Sequence, residues 1–322
     1  MMKYFKTLAI YLLLGLVILK CSSSVQLPEY NSALEAYRQG KYQTAITNID
    51  KAIKIEKSNS AYYVLRAKSN YKVGNKDLAM DDLNLSLSIE PNFDAFHLRG
   101  KLFLERNELK NAKEDFRAAY DFNPESADLL FDLGYVEYLN NENQLALEYY
   151  VKASKYNSLN PATYVNIGNL YSMMGNSKLA IDNYSKALVL DTTDGIAYYN
   201  RANEKMILGD FEGAIEDYEN SLLIDSTNIS TLFILAETKT KINDVSGALN
   251  NYTTIITLDS ISAKAFYLRG TTEIVLEAYE EACLDFKKAG DLGYFDAYEM
   301  IKKHCEPKKK TEKKKIKKKS KP

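Results

Sequence analysis

The chain has 322 residues, with 42 Lys and Arg against 43 Asp and Glu, 46% apolar and 26% charged residues. That composition excludes disorder over most of the length, a collagen-like chain and a multi-span membrane protein. Three cysteines are too few for a disulfide scaffold, and two histidines (His97 and His304) leave little for a His-based metal site or catalytic triad.

In chain order, the first twenty residues hold Lys3, Lys6 and Lys20 and no acid, with an apolar run at residues 7–19 between the second and third. A basic start followed by a short apolar run is the pattern of an export signal. Thirteen residues fall short of the ~20 a spanning helix needs. Next comes Lys20-Cys21-Ser22-Ser23-Ser24. A cysteine at the end of the apolar run, followed by small polar residues, resembles a bacterial lipoprotein signal. The resemblance implies that Cys21 takes a lipid and becomes the mature N-terminus. Lys20 stands where that pattern has a small residue, which leaves an uncleaved anchor with an inert Cys21 as the alternative.

From residue 26 onward the chain repeats. Ala45, Ala79, Ala112, Ala146, Ala180, Ala214, Ala248 and Ala282 are 33 or 34 residues apart. Twelve residues before each stands another small residue: Ala33, Ala67, Gly100, Gly134, Gly168, Ala202, Ala236 and Gly270. Four residues after each stands a bulky one: Ile49, Leu83, Phe116, Tyr150, Tyr184, Tyr218, Tyr252 and Phe286. A second bulky column, Tyr63, Phe96, Leu130, Tyr164, Tyr198, Leu232 and Phe266, has Glu29 at its head. Each unit holds two blocks of helical periodicity, as at 198–208 and 212–223. Between the blocks lie Gly40, Gly74, Asn107, Asn141, Gly175, Gly209, Asn243 and Glu277. Gly and Asn accept the left-handed backbone that ends a helix. The small columns let two antiparallel helices approach, and the bulky columns fill the space around them.

This pattern resembles the tetratricopeptide repeat family, most clearly at Tyr198–Ala202 and Gly209–Tyr218. The family's first-helix Trp is replaced by Tyr, Phe or Leu, in keeping with 25 Tyr, 12 Phe and no Trp. The resemblance implies an all-α, right-handed superhelical solenoid of about eight helix-turn-helix units near 26–59, 60–92, 93–126, 127–160, 161–194, 195–228, 229–262 and 263–294. A helix at 295–306, with Ala297, Met300, Ile301 and His304 at helical spacing, is expected to cap the last apolar face.

The resemblance also implies protein or peptide binding, without chemistry, in a concave groove lined by first helices. Phe131, Tyr135, Asn169, Tyr199, Asn203, Phe233, Glu237 and Tyr267 are the candidate groove residues. Asn169 and Asn203 stand one unit apart, and an amide offers a peptide backbone both a donor and an acceptor. Tyr199 and Phe233 are candidate apolar anchors, or packing between neighbouring first helices. Lys68, His97 and Lys101 put positive charge in the N-terminal part of the groove, and Glu237 puts negative charge in the C-terminal part. Val165, Ser230 and Ile234 occupy the basic positions of the family's carboxylate clamp, so a C-terminal carboxylate is not the expected ligand.

Cys283 and Cys305 fall in the last second helix and at the end of the capping helix. Antiparallel about a turn near Leu292, they differ in level by three residues, ~4.5 Å at the helical rise. A disulfide and two buried thiols are both open readings. No glycine-rich phosphate loop, Cys-x-x-Cys or His-Glu-x-x-His occurs. The chain reads as non-enzymatic, with no cofactor, metal or small-molecule substrate.

The last sixteen residues, 307–322, hold ten Lys and one Glu. Such a run repels itself and reads as a disordered tail. Without the two ends, residues 21–306 have 29 bases and 42 acids. The near-neutral chain is an acidic body with a basic tail. The expected role is a protein-interaction scaffold, exported and lipid-anchored in the bacterial envelope on its periplasmic or outer-membrane side. The alternatives are an adaptor whose tail docks to anionic lipid or lipopolysaccharide, and an accessory subunit of an envelope enzyme. An exported protein would not meet nucleic acid in its compartment.

Overall fold

The computed structural model describes residues 27–306. The export segment, Cys21 with its linker (21–25) and the lysine tail (307–322) lie outside the described residues. Among those described there are seventeen helices and no strand. They are α1 (Pro28–Arg38), α2 (Tyr42–Ile55), α3 (Ser60–Lys72), α4 (Lys76–Ile89), α5 (Phe93–Glu105), α6 (Leu109–Phe122), α7 (Ala127–Leu139) and α8 (Asn143–Tyr156). There follow α9 (Pro161–Met173), α10 (Ser177–Leu190), α11 (Gly195–Leu208), α12 (Phe211–Ile224), α13 (Ile229–Lys241), α14 (Val245–Leu258), α15 (Ala263–Val275), α16 (Tyr279–Asp291) and α17 (Asp296–Met300). The last continues as a π-helical turn, Ile301–Cys305. Sixteen helices pair into eight helix-turn-helix repeats, and α17 with its turn caps the last. The chain forms two compact bodies, one ending at Tyr149 and one beginning at Tyr150.

The turns follow from the left-handed column. Gly40, Gly74, Gly175 and Gly209 have φ between +73° and +87°, and Asn107, Asn141, Asn243 and Glu277 lie at +59° to +62°. A backbone bond closes each turn across it, as from Asp210 N–H to Lys205 O (3.0 Å) and from Glu108 N–H to Phe103 O (2.8 Å). Glu277 is the one side chain there that is neither Gly nor Asn, and left-handed backbone costs an ordinary residue about 1–2 kcal/mol. Glu277→Gly is therefore expected to stabilise the protein by about 1 kcal/mol, read from the urea unfolding midpoint. A lower midpoint would show that the Glu277 side chain makes a compensating contact.

The packing columns are inside. All eight alanines from Ala45 to Ala282 are fully buried, and the bulky column from Ile49 to Phe286 is at most 2% exposed. A Cβ on Gly168 would sit 2.6 Å from the Tyr184 ring, so the close approach of α9 and α10 there requires glycine. The first-helix bulky column behaves differently from expectation. Tyr63, Leu130 and Leu232 are buried, but Phe96, Tyr164, Tyr198 and Phe266 are only half-buried. Their outer faces carry cations: Arg99, Lys186, Arg201 and Arg269 lie 5.6–6.0 Å from the respective ring centres.

These arginines belong to an ion-pair system. In four repeats an Arg just before the small first-helix residue forks onto the Asp just before the buried second-helix residue. The pairs are Arg66–Asp82, Arg99–Asp115, Arg201–Asp217 and Arg269–Asp285, with both bonds between 2.6 and 2.9 Å. The aspartates are 1–6% exposed. Each Nη1 reaches back to the preceding repeat, to Asp50 (2.6 Å), Asn84 (2.8 Å), Ser185 (2.9 Å) and Thr253 (3.4 Å). A two-pronged, charge-assisted bond of this kind holds geometry as well as energy.

At the C-terminus, α17 and its π turn place Ala297, Met300 and Ile301 over Phe286 and Ala289. Cys283 and Cys305 are joined by a disulfide, with Cα atoms 5.7 Å apart. Glu273, on α15, is the uncomfortable group in this region. It is 9% exposed, its Oε2 has no hydrogen-bond partner, and Arg269 Nε stands 4.0 Å from Oε1. Burial, reinforced by the Asp285 charge, pushes its carboxyl up to about 7 from 4.5. The folded chain therefore binds a proton that the unfolded chain has released, so stability falls as pH rises from about 4.5 to 7. Glu273→Gln is expected to raise the melting temperature at pH 8 and leave it nearly unchanged at pH 4.5. An equal shift at both values would assign the effect to packing rather than charge.

Candidate peptide-binding groove

The candidate residues project from first helices, at the fifth and ninth positions of each repeat. In the second body they are Asn169 on α9, Tyr199 and Asn203 on α11, Phe233 and Glu237 on α13, and Tyr267 on α15. Phe131 and Tyr135 are on α7 in the first body, half-buried and 40% exposed.

The aromatics are partly committed to packing. Tyr199 lies 5.8 Å from Tyr218, Phe233 6.3 Å from Tyr252 and Tyr267 5.9 Å from Phe286, between ring centres. Each thus rests one side on the buried ring of its own second helix. Tyr267 is further covered by Tyr294 of the capping segment, 4.6 Å away. Lys264 Nζ sits 4.8 Å over the Phe233 ring. Beside Tyr199 a cavity of 480 Å³ opens where α11 and α13 begin, with Asp194, Ile196, Ile224 and Thr231 in its wall.

The two asparagines are fixed from behind. Tyr184 donates its hydroxyl to Asn169 Oδ1 (2.8 Å), and Tyr218 donates to Asn203 Oδ1 (2.6 Å). Asn200 Nδ2 also donates to Asn169 Oδ1 (3.2 Å). Burial holds both tyrosine hydroxyls far above their ordinary pKa; the Glu204 charge adds to the effect at Tyr184, and Tyr199 adds to it at Tyr218. Both therefore remain donors, and both amide oxygens are taken. No hydrogen bond among the described residues engages either amide NH₂. The sequence expectation of a donor and an acceptor from each amide is thus halved: the asparagines offer donors, one repeat apart.

The expected charges are matched locally. Lys68 pairs with Asp94 (3.0 Å), His97 Nε2 lies 2.7 Å from Asp132, and Lys101 is 3.6 Å from the same carboxylate. Lys264 pairs with Glu237 (3.3 Å). Neither the positive N-terminal field nor the negative charge at Glu237 stands alone. Among the described residues no group of three or more His, Cys, Asp or Glu is placed to hold a metal ion. None of their helices is long and apolar enough to cross a membrane.

The spacing of helices, turns and buried columns is matched by models of the tetratricopeptide repeat at residues 97–158, 161–194 and 195–228. Residues 97–228 are tetratricopeptide repeats. Among curated tetratricopeptide-repeat relatives, human tetratricopeptide repeat protein 6 is 28% identical over 122 residues, 38% of this chain and 24% of that one. Bacteriophage adsorption protein A of Escherichia coli K12 is 33% identical over 78 residues, 24% of this chain and 8% of that one. The chain spans a quarter or less of these relatives' length. Among solved structures, the C-terminal part of a tetratricopeptide-repeat protein from Cytophaga hutchinsonii covers 73% of this chain and 97% of its own, at 21% identity and TM-score 0.59. YrrB, described as having an unusual peptide-binding site, covers 59% of this chain and 99% of its own, at 24% identity and TM-score 0.52. These likenesses are of fold.

The sequence reading missed three features. One is the Arg–Asp fork, whose signal is a constant separation of sixteen residues. Another is a column of helix caps, Asn59, Asn92, Ser126, Asn160, Asp194 and Asn228, each accepting from a first-turn N–H. The third is the tyrosine–asparagine bond, whose signal is a fifteen-residue separation.

Proposed function

We propose that this protein is a non-enzymatic scaffold that holds an extended or helical protein segment on the first-helix side of residues 150–306. The observation that carries this reading is the pair of amide donors at Asn169 and Asn203, pinned by Tyr184 and Tyr218. Two donors with fixed orientation and repeat spacing suit successive backbone carbonyls of a bound chain, whatever its side chains. The cavity beside Tyr199 suits one apolar side chain as anchor. The test is capture from a membrane extract, comparing the wild type with Asn169→Ala/Asn203→Ala. Partners lost in the double variant support the groove. An unchanged set of partners refutes it.

The address of the scaffold rests on the sequence. The basic, apolar, cysteine-ended N-terminus suits export and lipid attachment at Cys21, and a Cys283–Cys305 disulfide suits an oxidising compartment. Labelled palmitate should enter the wild type and not Cys21→Ala; no label in the wild type removes the anchor. The lysine tail suits anionic lipid or lipopolysaccharide as a second attachment. Vesicle binding unaffected by deletion of residues 307–322 would remove that role.

A further inference from the structure

The Arg–Asp fork provides an internal template for a site. In repeat six, Arg201 occupies a slot on the second-helix side formed by Asp217 and, from the preceding repeat, Ser185. Repeats two, three and eight fill the same slot with their own arginines. In repeat seven the three corresponding positions hold Leu235, Asn251 and Glu219. No arginine is supplied, and a cavity of 510 Å³ lies there, with Glu216, Glu219, Leu232, Leu235, Lys239 and Asn251 in its wall. The groove over Arg66 measures 440 Å³, but its guanidinium is already paired with Asp50 and Asp82.

The open slot keeps the groups a guanidinium needs. Asn251 is 9% exposed and its side chain makes no hydrogen bond, which leaves Oδ1 to accept from a guanidinium; the unpartnered Nδ2 is a donor that arginine does not meet. Glu219 is half-exposed and meets Lys239 through one oxygen (2.7 Å). On helix α12, Asp217 is met by Arg201 and Lys205 and Glu219 by Lys239, which leaves Glu212 and Glu216 without an ion-pair partner among the described residues. Leu232 and Leu235 give an apolar floor for an aliphatic stem.

The other repeats without the arginine lack this combination. Repeat five has Ile167 and Asn183, but Asn183 donates to Leu179 O (2.8 Å) and Val151 stands at the third position. Repeat four has Arg117 at the third position, a like charge. Repeat one has Ser32 and Asn48 at the first two positions, Asn48 accepts from Lys51 Nζ (3.4 Å), and the third position lies outside the described residues.

We propose that the slot between repeats six and seven is a docking site for an arginine side chain carried by a basic segment of a partner protein. The guanidinium donates to Glu219 and to Asn251 Oδ1, as Arg201 donates to Ser185 and Asp217. Its charge meets the Glu219 oxygen that Lys239 leaves open and lies beside the unpaired Glu216. This site is separate from the first-helix groove and does not rest on the reading of that groove.

The test is fluorescence anisotropy of the full chain with a labelled peptide of three Gly-Ser-Arg units, beside versions carrying Lys or citrulline. The arginine peptide is expected to bind at least about tenfold tighter than the citrulline peptide, and tighter than the lysine peptide. Leu235→Arg/Asn251→Asp gives repeat seven its own fork, fills the slot from within, and is expected to weaken the arginine peptide at least about tenfold. Glu219→Gln, on the half-exposed side, is expected to weaken it several-fold, and decides the matter if the double variant does not fold. Equal binding of the Lys and Arg peptides overturns the proposal. So does unchanged binding by a folded double variant, or by Glu219→Gln.

Discussion

Arg99→Ile is expected to destabilise the protein by about 3 kcal/mol, because it leaves the buried Asp115 with no cation to meet it. Asp115 is 5% exposed, and both its oxygens are occupied by the Arg99 fork at 2.7 Å. The loss should be largely recovered by adding Asp115→Asn. That pair of substitutions copies repeat five, where Ile167 and Asn183 stand at the two positions. Urea unfolding of the wild type, both single variants and the double variant measures the coupling. Additive losses would show that the two positions act independently and that the fork is not a unit.

Removal of the Cys283–Cys305 bond is the second large effect. The bond closes a loop of 22 residues, for which chain entropy gives about 3 kcal/mol. Cys305→Ser should concentrate that loss at one end, because repeats of this kind contact only their neighbours. The expected result is faster amide exchange in α16, α17 and the π turn, with α9 to α11 unchanged. Phe286 and Ala289, now under Met300 and Ile301, would be uncovered part of the time. Uniform acceleration along the chain would mean that the cap is coupled to the whole body. No acceleration would mean that apolar contact alone holds it.

Much of the fold was legible because its determinants are local and repeated. A small residue at Ala214 or Gly168 has one cause, the approach of two helices, and that cause returns every 34 residues. The turn column was equally plain, down to the exceptional Glu277, because backbone sterics allow few residue types there. The half-exposed ring column was not. Tyr198 looks like a core residue until Arg201, three positions on, is seen lying over it. Charged residues on helices are usually solvated, and that expectation hid Asp217 and Glu273, both buried between helices. The groove was legible in position and not in chemistry. Asn169 and Asn203 lie on the first helices as expected, but their acceptor halves are consumed by tyrosines fifteen residues away, a pairing no single helix face displays.

The backward reach of the arginines has a mechanical consequence. Within the second body, Arg201 ties repeat six to repeat five and Arg269 ties repeat eight to repeat seven. The junction of repeats six and seven has instead Lys239 on the half-exposed Glu219. A solenoid behaves as a spring whose stiffness is set joint by joint, and here the joints are unequal. Under tension along the chain, the coil should lengthen first at Leu235, while the guanidinium-tied turns on either side keep their pitch.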